Sequence, residues 1–144
     1  MRAPSGRGTA RLAAEIINVC THYQFHVHLF AASPGESFAV TWEQAAAELE
    51  RLPRMIFEPD GSFVVTGDDR DGRRWQVDGH LFDFAGRLYR VELHGGCPAA
   101  EFDRLLRCID WPRQQLLFEM VRDARRVDEE TFRRLTLAGN ARAR

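Results

Sequence analysis

The chain contains no lysine: all twenty basic residues among its 144 are arginine. Arginine suits phosphate and base recognition. Twenty-one acidic residues offset it, however, and leave a net charge of −1. No global field then draws the protein towards polyanions, which speaks against nucleic-acid binding. Codon bias in a GC-rich genome accounts for the missing lysine and for the many Ala, Gly and Asp residues. No run of eighteen apolar residues is present, so no membrane-spanning helix is expected. The Arg-bearing amino terminus lacks an apolar segment of secretory type. Cysteine is scarce, with only Cys20, Cys97 and Cys108. An odd set without CxxC spacing fits reduced thiols better than a disulfide scaffold, and points to the cytoplasm. Phosphate-binding glycine loops and a serine nucleophile elbow are missing too. No motif asks for a cofactor.

What is present suits one α+β domain. Apolar residues make up 44% of the chain, enough for a core without help from metal or disulfides. Residues 1–8 are a basic Pro/Gly/Ser stretch expected to be disordered, residues 9–138 form the domain, and 139–144 make a second basic tail. A short helix can start at Thr9. From Tyr23 the apolar residues then alternate as Tyr23, Phe25, Val27 and Leu29, the pattern of a half-buried strand. Thr41 and Gln44 form a capping box ahead of a helix that Pro53 stops.

The middle reads as a meander of about four strands with Gly/Asp turns. Gly79 is expected to mark a bulge or tight turn, and Trp75, Phe82, Phe84 and Tyr89 are read as core aromatics rather than a base-stacking sheet. Pro98 is placed as a first helical residue, before Phe102, Leu105, Leu106 and Ile109 at helical spacing. Leu116 to Val121 is read as helix, with a strand as the competing reading, and Asp128 caps a last helix ending at Gly139-Asn140. The expected order is β-α-β-β-β-β-α-α-α: a mostly antiparallel sheet of about five strands with helices packed on one face.

Three stretches carry possible chemistry. In His94-Gly95-Gly96-Cys97-Pro98, a thiol at a helix start would favour thiolate, with His94 as base or ion-pair partner. The backbone at Gly95 and Gly96 could bind an anion. The simpler account makes Gly-Gly a turn and Cys97 an apolar filler. On the first strand, Cys20, His22, Gln24, His26 and His28 share parity and point away from the apolar face. His26 and His28 could hold a metal together, provided that His80, His94 or an Asp arrives from another strand as third ligand. Asp68-Asp69-Arg70-Asp71-Gly72 resembles the start of a calcium loop, but its register fails and it is read as a solvated turn.

With no strong motif, the leading expectation is a small soluble protein-interaction or adaptor domain without catalytic activity. Its carboxy-terminal helices would dock a protein partner or a second copy. The alternatives are a thiol-dependent enzyme using Cys97 and His94, and a His-ligated metal-binding domain.

Overall fold

In a computed structural model, residues 21–33 and 36–142 are described, with the backbone alone from 138 onward. Among them, seven strands and three helices follow the order β1 (His22–Ala31), α1 (Trp42–Glu50), β2 (Met55–Phe57), β3 (Ser62–Asp68), β4 (Arg74–Phe84), β5 (Arg87–Pro98), α2 (Ala99–Arg107), β6 (Leu116–Met120), β7 (Arg125–Val127) and α3 (Glu129–Arg142). The strands make one antiparallel sheet in the order β2-β3-β4-β5-β1-β6-β7. The α+β class stands, with seven strands in place of about five. The expected amino-terminal helix and Cys20 lie outside the described residues.

The alternation in β1 sets the arrangement. Tyr23, Phe25, Val27 and Leu29 are buried, while His22, Gln24, His26, His28 and Phe30 face the other side. The apolar faces of all three helices pack against the buried side. Phe102 of α2 meets Tyr23 and Phe25 with ring centroids 5.5 and 4.9 Å apart. Phe132 of α3 stacks on Phe118 of β6 at 4.5 Å. Ala45, Ala46 and Leu49 of α1 join the same core. Each large side chain removed from water contributes about 1.5–3 kcal/mol, so this single layer of contacts holds the helices to the sheet. The Thr41–Gln44 capping box forms as expected, with both of its hydrogen bonds in place.

Several expectations need correction. Leu116–Met120 is a strand, because it lies beside β1 with Leu29 opposite Phe118. Arg125–Val127, between the helical repeat ending at Ala124 and the Asp128 cap, is a three-residue strand that exists by pairing Val127 with Phe118. The expected order of three closing helices therefore becomes α-β-β-α. Pro98 ends β5 and precedes the helix, and α3 runs past Gly139-Asn140 to Arg142. No bulge occurs at Gly79; it stands opposite Phe63, whose ring occupies the space that a Cβ would need. The irregularity falls between Phe82 and Asp83, where register with β5 skips Tyr89. Trp75 is core, whereas Phe84 and Tyr89 are exposed.

Candidate metal centre

Two of the three chemically suggestive stretches meet in the β1–β5 ladder. His26 stands opposite His94, His28 opposite Glu92, and Tyr23 opposite Cys97. On the far flank of β1, His28 is also opposite Glu119 of β6. On the polar side of the sheet this makes a row of His80, Glu92, His28, Glu119 and Arg126, each on a neighbouring strand.

Within that row the side chains converge. His26 Nε2 lies 3.0 Å and His28 Nε2 3.1 Å from the same oxygen, Glu92 Oε2. One donor atom from each of the three residues falls within 4.8 Å of the others. On its other side, His28 Nδ1 is 3.3 Å from Glu119 Oε1, and Arg126 donates to Glu119 Oε2 at 2.9 Å. The group is half-buried: the side chain of His28 is 17% exposed and that of Glu92 33%. His94 stacks flat on His26 at 4.1 Å and 17°.

Electrostatics follow these contacts. The hydrogen bond from His26 is the main reason why the Glu92 carboxyl sits below its ordinary pKa; His28 adds to it and partial burial opposes it. Glu119 is also lowered, first by Arg126 and then by His28, again against partial burial.

His28 is the informative member. Each ring nitrogen faces a carboxylate oxygen, which accepts hydrogen bonds and donates none when ionised. A neutral imidazole has one N–H and can satisfy one of them. The other contact requires a second proton or a metal ion. With Nδ1–H directed at Glu119, the Nε2 lone pair is directed at Glu92, the arrangement in which a second carboxylate orients a metal-ligating histidine. Zinc ligands at about 2.0–2.2 Å from the ion are spaced ~3.3–3.5 Å apart in a tetrahedron, so each imidazole would need to draw back from Glu92 Oε2 by only a few tenths of an ångström.

The sequence supplied His26 and His28 but named His80, His94 or an Asp as the third ligand. It is Glu92 instead whose donor atom lies within 4.8 Å of theirs. His80 stacks on Phe82 at 4.2 Å instead, and His94 stacks on His26 without entering the donor set. His22 is four residues from His26, about 13 Å along a strand, and is not in the donor set either. The signal for Glu92 was its alternation with Val91 and Leu93. For Glu119 there is none, because the spacing of Leu116–Val121 suggests a helix.

The thiol site is not assembled. His94 and Cys97 are three residues apart on one strand and emerge on opposite faces. Cys97 is fully buried among the core residues. Burial pushes its thiol far up, helped by the charges of Glu101 and Asp103, whereas a nucleophile needs the reverse. Cys108 is likewise pushed up to about 12 by burial, with Glu48 adding and Arg104 opposing. Gly95 and Gly96 have a sheet explanation rather than an anion-binding one. Gly95 has φ +137°, and a Cβ there would strike the Gln76 backbone; Gly96 leaves room for the Gln24 side chain opposite.

On the helix side a cavity of about 270 Å³ opens between Leu52, Val65, Trp75 and Leu105. Arg54 and Asp68 on its rim pair with each other at 3.0 Å, and none of the converging His and Glu residues lines it. Among the described residues, no helix is long and apolar enough to cross a membrane. No protein family, curated protein or solved structure compared with the chain matches it.

Proposed function

We propose that the protein is a binding domain for one divalent transition-metal ion of the zinc class. His26 Nε2, His28 Nε2 and Glu92 Oε2 are the ligands, and Glu119 orients His28. The observation that carries this reading is His28 with a carboxylate at each ring nitrogen, a demand that a metal at Nε2 meets without a second proton. Mixed imidazole and carboxylate donors suit zinc, cobalt and other first-row ions rather than calcium or magnesium.

The adaptor reading drew on apolar surface of the carboxy-terminal helices. Most of that surface is turned inward: Phe102, Leu105, Leu106 and Phe132 are buried, and Leu137 is the exposed large apolar side chain of these helices among the described residues. The thiol reading loses its geometry with Cys97 in the core. The metal reading keeps its residues together.

The test is elemental analysis of untagged full-length protein, followed by titration with zinc and with cobalt(II). One equivalent should bind. His28→Ala should weaken binding at least about a hundredfold, and Glu119→Gln, which removes only the orienting charge, by ~10–100-fold. Protein that takes up no stoichiometric metal, or a His28→Ala variant that binds as the wild type does, overturns the proposal.

A further inference from the structure

Resting on the metal reading, the structure also says what would complete the ion's shell. Three protein ligands leave at least one position open on a tetrahedral ion and more on an octahedral one. Arg90 precedes Glu92 by two residues on β5, so the two leave the sheet on the same side, about 7 Å apart.

Arg90 differs from the other arginine of this neighbourhood. Arg126 is held by Glu119 at 2.9 Å and lies over Phe30 at 4.8 Å. Arg90 has no carboxylate partner among the described residues: its guanidinium lies over the ring of Phe82 at 4.1 Å, and its Nε is out of solvent with no acceptor. A buried donor left unmet is costly and calls for an explanation. A guanidinium with an unmet Nε and no carboxylate partner, one row along β5 from the ligand Glu92, is suited to an oxyanion, which both it and a metal ion would attract.

The same end of the face carries aromatic surface. Phe30 on β1 packs edge-on against Tyr89 at 6.0 Å, and Tyr89 meets Phe84 at 6.2 Å. Phe84 is 73% and Tyr89 47% exposed, unusual for large rings outside a binding surface. A ligand with a planar apolar body would cover them.

We propose that this face binds a small aryl oxyanion, its anionic group shared between the metal and Arg90 and its ring lying against Tyr89 and Phe84. The probe is benzoate, titrated into full-length protein loaded with cobalt(II), whose visible absorption reports a change in the metal's shell; acetate supplies the same anion without the ring. Benzoate should shift the spectrum saturably and bind more tightly than acetate. Arg90→Gln should weaken benzoate on the order of tenfold or more, as expected for a lost hydrogen bond to a charged group. It should leave cobalt affinity within about twofold, because Arg90 is not a ligand. Arg90→Lys, which keeps the cation, should recover much of the affinity and guards against a folding defect in the glutamine variant. Cobalt binding with equal benzoate affinity in wild type and Arg90→Gln overturns this inference and leaves the metal reading standing. Equal affinity for acetate and benzoate overturns the aryl specificity. Failure to bind cobalt overturns both.

Discussion

Tyr23–Cys97 and His26–His94 are pairs of one ladder, three residues apart, and they lie on opposite sides of the sheet. On the helix side the thiol is dry, among aromatic rings, and its proton is held tightly. On the other side the two imidazoles are stacked beside carboxylates and part-open to water. Both stretches contain the residue types of a reactive site. What separates them is parity, since a strand sends alternate side chains to opposite faces. A step of two keeps His26 with His28. A step of three parts His94 from Cys97.

The largest effect expected from this contrast is on Cys97. Iodoacetamide should modify it about a thousandfold or more slowly in native than in unfolded protein, as access requires global opening. Rapid labelling of the native state, read by mass spectrometry, would place the thiol on the wet face after all. Phe132→Ala, which empties the centre of the helix side, should cost ~3–5 kcal/mol in urea unfolding. A loss below 1 kcal/mol would mean that the Phe102–Phe118–Phe132 stack is not the core.

The glycines sharpen the comparison within a single strand. Gly95→Ala should cost about 1–3 kcal/mol, because a side chain is strained at its φ and meets rigid backbone. Gly96→Ala meets only the movable end of Gln24 and should cost less than ~1 kcal/mol. Equal losses would break the assignment of faces.

The smallest effect is electrostatic. Glu92 and Glu119 have lowered pKa values in the folded protein. Their contribution is therefore complete above the ordinary Glu range near pH 4.5, and is lost as pH falls through the lower folded values. The stability gap between wild type and Glu92→Gln, measured in metal-free protein, should be fully open just above the ordinary Glu range and close as the solution is acidified through it. A gap independent of pH would remove the ionised carboxylate from the account.

Local pattern revealed the elements whose stability is local. The Thr41–Gln44 cap and the alternation from Tyr23 to Leu29 are both found in the structure. Leu116–Met120 escaped because five largely apolar residues carry no decisive period, and Arg125–Val127 because three residues carry no pattern at all. Half of the site was visible for the same reason: His26 and His28 lie on one strand, whereas Glu92 and Glu119 join them only through pairing across the sheet.

Glu92 is 66 residues from His26, and Glu119 is 91 residues from His28. No short fragment of the chain can therefore assemble the centre. Under the proposed metal binding, occupancy would be a signal that the first strand has found both of its distant neighbours. An ion that binds only the finished sheet at a hundred times its dissociation constant would deepen the native well by about 2.7 kcal/mol, so metal supply and the survival of the folded chain would rise and fall together.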